Sequence, residues 1–199
     1  MQVRAIMSAA KQVEAEGREL LPEIMIPLVG HPNELKIIKE RLTKTIGEIL
    51  GSKKIEYEIG TMIEVPRSCL VADKIAEYAD FFSFGTNDLT QMTYGYSRDD
   101  AEGKFISRYL EEKIIELDPF NTIDRDGVGE LMRIGVERGR KTRKDLEIGI
   151  CGEQGGDPET IYFCHEIGLD YVSSSPFRIP VAILCAARAS IMDQEAGKQ

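Results

Sequence analysis

The chain has 199 residues, 42% of them hydrophobic, with 34 acidic and 25 basic side chains and a net charge of −9. That apolar fraction supports a real core and excludes wholesale disorder, and the acidic balance argues against nucleic acid or anionic lipid as a main partner. No run approaches the roughly 20 apolar residues that span a bilayer, and the first residues lack the apolar core and cleavage site of a secretory signal.

Residues 3–20 carry Val3, Ile6, Met7, Ala10 and Val13 at spacings of three and four, which predicts an amphipathic helix. A buried strand follows from Glu23 to Val29, stopped by Gly30 and Pro32. Helical period returns over 33–50, with Asn33 as the expected N-cap. Residues 58–64 read as a second strand ended by Pro66, and Ser68 is expected to cap a helix reaching about Tyr78. Phe81-Phe-Ser-Phe84 is a third strand, running at once into Gly85-Thr-Asn-Asp88. The polar stretch 97–145 reads as a loop and then a charged helix from about Gly127 to Lys141. Strands at 146–150 and 171–174 complete the set, with a helix after Pro158 and a closing helix at 180–195.

Strands alternating with helices imply parallel βα units. Two architectures fit five of them: a complete doubly wound open sheet, or part of a (β/α)8 barrel. A whole barrel takes about 250 residues, so five units, a leading helix and one insertion match this length, with about three front units missing. Cysteines at 69, 151, 164 and 185 form no C-x-x-C, and only two histidines occur. Reduced thiols in a cytoplasmic protein are the simplest expectation.

Glu64, Asn87, Asp88, Cys151 and Ser174 each follow an apolar strand by no more than four residues. Parallel α/β folds bind ligands beyond the carboxyl ends of their strands, so all five can face one cleft. A carboxylate in the apolar Met-Ile-Glu-Val-Pro segment is costly unless a cation or donor compensates it. A lysine partner or a helix cap is the ordinary explanation. Asp88 on the next strand end favours another, because two carboxylates with substrate oxygens suit Mg²⁺. Gly85–Asp88 reads either as a glycine turn with an Asx cap or as a concavity of N–H groups for a carboxylate. A lone Cys is usually a packing residue. Cys151, however, precedes Gly152, Gly155 and Gly156, and a thiol can exchange a proton with a carbanion. The other three cysteines fall in helical patterns and read as packing.

Other patterns fail on inspection. Asp124-Arg-Asp-Gly127 lacks oxygen ligands at the first and twelfth positions of a calcium loop. No glycine-rich nucleotide motif occurs, and neither His31 nor His165 has the surroundings of a phosphocarrier. The basic run 138–144 reads as a solvated helix end, with a phosphate contact as the lesser alternative.

Four segments in order carry a resemblance: Ile24-Met-Ile-Pro-Leu28, Gly60-Thr-Met-Ile-Glu-Val-Pro-Arg67, Phe81-Phe-Ser-Phe-Gly-Thr-Asn-Asp-Leu-Thr-Gln91 and Cys151-Gly-Glu-Gln-Gly-Gly-Asp-Pro158. Together they resemble the C-terminal phosphoenolpyruvate/pyruvate-binding barrel of the pyruvate, phosphate dikinases. Similar motifs occur in phosphoenolpyruvate synthase and in Enzyme I of the sugar phosphotransferase system. Tyr96-Ser-Arg-Asp-Asp100, Asp118-Pro-Phe120, Gly127-Val-Gly-Glu-Leu131 and Tyr171-Val-Ser-Ser-Ser-Pro-Phe-Arg178 favour the dikinases.

The resemblance implies that residues 1–199 are the C-terminal part of a (β/α)8 barrel, about five βα units. It implies Mg²⁺ held by Glu64 and Asp88. Gly85, Thr86, Asn87 and Asp88 would hold the pyruvate carboxylate and enolate oxygens, Cys151 would exchange the methyl proton, and Met62 and Tyr171 would line the pocket. The implied step is pyruvate + phosphohistidine ⇌ phosphoenolpyruvate + histidine, with a phosphohistidine domain and a second barrel copy as partners. The family's phosphate-holding arginines lie on early barrel strands that have no counterpart here, so this chain alone is expected to lack complete dikinase activity. The competing readings are a non-catalytic ligand-binding or dimerisation module, the equivalent domain of phosphoenolpyruvate synthase, and an unrelated Mg²⁺-dependent enolate lyase.

Overall fold

Five parallel strands form one sheet in a computed structural model that describes residues 1–196. The last three residues of the expected span 1–199 lie outside the described residues. In chain order the elements are α1 (Gln2–Ala15), β1 (Glu23–Ile26), α2 (Pro32–Leu50), β2 (Glu58–Ile63), α3 (Pro66–Leu70), α4 (Ala72–Ala76), β3 (Phe81–Gly85) and α5 (Thr86–Tyr94). They continue with α6 (Arg98–Lys104), α7 (Ile106–Glu111), α8 (Val128–Thr142), β4 (Glu147–Cys151), α9 (Pro158–Glu166), β5 (Tyr171–Val172) and α10 (Ile179–Ala196). No helix among the described residues is long and apolar enough to cross a membrane.

The strand order β1-β2-β3-β4-β5 follows the sequence without reversal. A doubly wound sheet reverses at a switch point, whereas a barrel adds each strand on the same side. The chain is therefore an α/β fold with part of a (β/α)8-type barrel. The helices follow the same order, with α1 against α2, α2 against α4, α4 against α8 and α9 against α10.

Register assigns the two faces of the sheet. Ile24, Ile59, Ile63, Phe82, Phe84, Ile148 and Ile150 point to the helices and are buried. The opposite face carries two cross-strand rows. Met62, Ser83, Gly149 and Tyr171 align across β2 to β5, and beyond them Gly85 pairs with Cys151. Alternation sends Ile24, Ile63 and Phe82 to the helices, and the Phe81 ring folds over Gly60 and is buried.

Several boundaries differ from the sequence reading. Helix α1 stops at Ala15, because Gly17 at φ 77° turns the chain and the Arg18 N–H returns to the Val13 carbonyl. The cap of α2 is His31, not Asn33: Pro32 occupies the first helical position, which fixes the cap one residue earlier. His31 Nδ1 accepts from the Asn33 N–H, and Glu34 accepts from the Gly30 and His31 N–H groups. Ser68 is not a cap; α3 begins at Pro66, and Val71 separates it from α4. Within 97–145, two short helices stand where the sequence reads as loop. They close a small core of Ala101, Ile106 and Phe120, with Tyr96, Phe105 and Tyr109 stacked beside it.

The end of α8 is largely exposed, as expected, but its arginines are tied to neighbouring segments. Arg138 donates to the Leu70 carbonyl, Arg140 bonds Gly168 and Asp170, and Arg143 bonds Ala79 and Asp80. Asp80 and Asp170 each stand just before a strand and accept an N–H from the preceding one, at Ile59 (2.9 Å) and Ile148 (2.7 Å). These contacts tie the amino ends of the strands, leaving the carboxyl ends free for chemistry. Asp124 is likewise structural: its Oδ2 accepts the Gly127 and Val128 N–H groups at the start of α8.

Candidate functional site

The polar residues beyond the carboxyl ends of β2, β3 and β4 meet at one place. Glu64 is only 3% exposed. Its Oε1 accepts the Leu28 N–H at 2.7 Å, and the Asp88 carboxyl lies within hydrogen-bonding reach of it. Burial pushes the Glu64 carboxyl above the usual range; the Leu28 N–H opposes this, and the charge of Asp88 adds to it. Among the described residues no lysine, arginine or histidine bears on Glu64, so the lysine-paired explanation is not what the fold contains. Asp88, in the first turn of α5, is steadied by Gln91, whose Nε2 donates to Oδ1 at 3.2 Å.

Gly85 makes the approach of these groups possible. A Cβ there would fall 2.6 Å from Glu64 Oε2 and 2.6 Å from Met62 Sδ, so only glycine lets β3 pass beneath both side chains. Two facing carboxylates without a cationic side chain form a donor set for a hard cation. Among the described residues no group of three or more His, Cys, Asp or Glu gathers. Water and ligand oxygens would therefore complete the shell, as they usually do for Mg²⁺.

Cys151 stands across β3 from Glu64. Burial raises its thiol above the ordinary value; the Ser83 hydroxyl opposes this, and the Glu64 charge adds to it. The thiol is therefore protonated at neutral pH. Ser83 also reaches the Tyr171 hydroxyl, whose pKa burial raises as well. The Tyr171 ring lies on Gly149, where a Cβ would come within 2.2 Å of it. Met62, Ser83, Cys151 and Tyr171 thus form one wall. Cys69, Cys164 and Cys185 are buried in helices, as their sequence patterns imply.

Residues 85–88, the end of β3 and the first turn of α5, are locked to the segment after β4. Gly152, at φ 119°, would place a Cβ 2.8 Å from Thr86 Oγ1 and 3.1 Å from Asn87 Oδ1. Thr86 donates to Gln154 Oε1, and Gln154 Nε2 reaches the Pro119 carbonyl at 2.9 Å and Thr90 Oγ1 at 3.3 Å. All three side chains are fully buried. Asn87 Oδ1 accepts the Glu153 N–H at 3.4 Å. Ser174, the remaining strand-end residue of the sequence reading, is half-buried and has no role in this cluster.

Three contributors escape the sequence reading. Ser83 was readable, because two-residue alternation puts it on the face of Gly85. Gln154 sits in a quoted motif, but its partners lie some 35 to 68 residues away. Leu28 acts through its backbone N–H, which no residue type announces.

A match to the family described as PEP-utilising enzyme, PEP-binding domain spans residues 1–191. The chain is 55% identical over 194 residues to pyruvate, phosphate dikinase of Clostridium symbiosum, covering 96% of this chain and 22% of that protein. It is 56% identical over 198 residues to pyruvate, phosphate dikinase of Rhizobium meliloti, covering 98% and 22%. The protein of the same name from Giardia intestinalis is 53% identical over 193 residues, covering 96% and 22%. The chain thus spans about a fifth of the length of the curated relatives it matches.

Proposed function

Because the chain belongs to the PEP-utilising enzymes, within their PEP-binding domain, we propose that it supplies the pyruvate/phosphoenolpyruvate site of a pyruvate, phosphate dikinase. The whole enzyme would carry out ATP + pyruvate + phosphate ⇌ AMP + phosphoenolpyruvate + diphosphate. The observation that carries the reading is the line of Glu64, Gly85 and Cys151 across three strand ends, with Asp88 facing Glu64.

In this reading Asn87 and the N–H groups of 85–88 orient the substrate carboxylate. Glu64 and Asp88 would hold Mg²⁺, which would supply positive charge to stabilise the enolate and phosphoryl oxygens. The Cys151 thiol, kept protonated, gives its proton to C3 when pyruvate forms; in the other direction the thiolate takes the methyl proton. The enolate oxygen then bonds to phosphorus as the bond from phosphorus to the histidine nitrogen breaks. Met62 and Tyr171 keep water from the reacting carbon.

The partner delivering the phosphoryl group would be a phosphohistidine domain. A second copy of the barrel is the proposed homodimer partner, supported by the exposed Ile179, Ile183, Leu184, Ile191 and Met192 of α10. Four free cysteines accord with a cytoplasmic setting.

The test is a chimera in which this chain replaces the matching segment of the Clostridium symbiosum dikinase. It should exchange pyruvate methyl protons with D₂O, followed by NMR, and Cys151→Ala should abolish that exchange. Parent-like exchange in Cys151→Ala would reduce Cys151 to a packing residue.

A further inference from the structure

Two short 3₁₀ turns, Glu153–Gly156 and Pro176–Arg178, stand beside the cluster. A cleft of about 440 Å³ opens there, lined by Asn87, Gly152, Glu153, Ser175 and Arg178. Its one carboxylate is engaged: Arg98 donates to Glu153 Oε2 and holds that carboxyl below the usual range, with the charge of Arg178 adding a smaller effect. Arg98 also bonds Glu102, so two guanidinium groups meet two carboxylates here, and among the described residues Arg178 is the one of the two that no carboxylate bonds directly.

Arg178 is exposed, but its stem is held in place. Its stem lies on Gly156, where a Cβ would fall 2.4 Å from Arg178 Cδ and 3.0 Å from its Cβ. Its N–H donates to the Ser175 carbonyl at 2.9 Å, closing the turn that carries both residues to the cleft. Among the described residues its guanidinium joins no ion pair. A guanidinium and a hydroxyl therefore line one cleft next to Asn87 at the start of α5. That set matches tetrahedral oxyanions, which arginine binds through paired N–H donors.

We propose that Arg178 and Ser175, beside the carboxylate-binding Asn87, form an oxyanion subsite for the phosphoryl group exchanged at this site. The proposal rests on the pyruvate/phosphoenolpyruvate reading and adds a phosphate contact from the last strand-to-helix connection. The same phosphoryl chemistry can arrive on two carriers, the enol oxygen of phosphoenolpyruvate or an imidazole nitrogen.

The experiment is calorimetry with Mg²⁺ on the chain, Arg178→Gln and Gly156→Ala, using three probes. Oxalate carries the enolate oxygens without phosphorus, phosphoenolpyruvate carries both, and phosphoimidazole carries the phosphoryl group on nitrogen. Arg178→Gln should weaken phosphoenolpyruvate roughly ten- to a hundredfold, the effect of losing a charged hydrogen-bonding partner, and leave oxalate unchanged. Gly156→Ala should act in the same direction, since the new methyl displaces the arginine stem. A loss confined to phosphoimidazole assigns the subsite to the protein-borne phosphoryl group; a loss confined to phosphoenolpyruvate assigns it to the substrate. Equal losses for oxalate and phosphoenolpyruvate, or parent-like affinity for both phosphoryl probes, would overturn the subsite. Failure of the parent to bind oxalate would instead overturn the underlying site reading.

Discussion

The N–H of Leu28 donates to Glu64 Oε1 at 2.7 Å from a backbone held at φ 55°. Leucine rarely adopts that left-handed conformation, and an L-residue there costs about 1–2 kcal/mol. Such conformations persist where the surroundings enforce them, often at functional sites. Here the product of the strain is the donor that steadies a buried carboxylate with a second carboxylate facing it.

Leu28→Gly should therefore raise stability by about 0.5–1 kcal/mol, since glycine adopts this φ without strain and keeps the N–H. Leu28→Pro removes the donor and cannot adopt the φ, and should cost about 3 kcal/mol or more. Denaturant melts of the two variants distinguish these outcomes. A destabilised Leu28→Gly would mean that the side chain, which is largely exposed, matters more than the backbone.

At the opposite end of the sheet, Asp80 accepts from Lys39 Nζ at 2.8 Å, the Ile59 N–H at 2.9 Å and Arg143 Nη1 at 3.1 Å. Burial works to raise its carboxyl, but these donors outweigh it and the pKa lies below the ordinary 3.8. A lowered folded pKa gives stability that is fully present above the unfolded value and lost as pH falls through the folded one. Asp80→Asn should thus cost about 2 kcal/mol at neutral pH and flatten the decline of stability below about pH 4. Melting curves from pH 2 to pH 7 test both; an unchanged acid limb would contradict the assignment.

The Tyr171 ring covers Gly149 so closely that a Cβ there would fall 2.2 Å from it. Gly149→Ala should displace the ring and cost about 1–3 kcal/mol through overpacking. A melting point equal to the parent's would show that Tyr171 moves freely and does not fix the wall beside Cys151.

Much of this arrangement is legible in the sequence. Alternation along Met62-Ile-Glu64, Phe81-Phe-Ser-Phe-Gly85 and Gly149-Ile-Cys151 places Met62, Glu64, Ser83, Gly85 and Cys151 on one face, and parallel βα units aim them at one end. The choice between barrel and open sheet is not legible locally, because both give the same strands; strand order decides it. Helices α6 and α7 are hidden by the charges of Arg98–Lys104, while the Tyr96, Phe105 and Phe120 side chains that fold them come from separate segments. The strain at Leu28 and the reach of Gln154 exist only once distant segments meet.

The four thiols should differ in reactivity. Burial pushes those of Cys69 and Cys164 up to about 12, and Cys185 is buried, whereas Cys151 is the one that is not. Iodoacetamide should modify Cys151 first, and Mg²⁺ with oxalate should slow it severalfold or more. Peptide mass spectrometry reads both. Modification of Cys185 ahead of Cys151 would place the accessible thiol on α10 instead.

Calorimetric titration of oxalate with and without Mg²⁺, on the parent, Glu64→Gln and Asp88→Asn, probes the pairing of the two carboxylates. The parent should bind oxalate only with Mg²⁺, and each variant should lose roughly tenfold or more in affinity, because each removes a charged oxygen from a hard cation. In metal-free protein Glu64→Gln should be neutral or stabilising, since it removes a buried charge facing another of the same sign. Mg²⁺-dependent oxalate binding of equal strength in the parent and both variants would contradict Glu64 and Asp88 as the metal-holding pair.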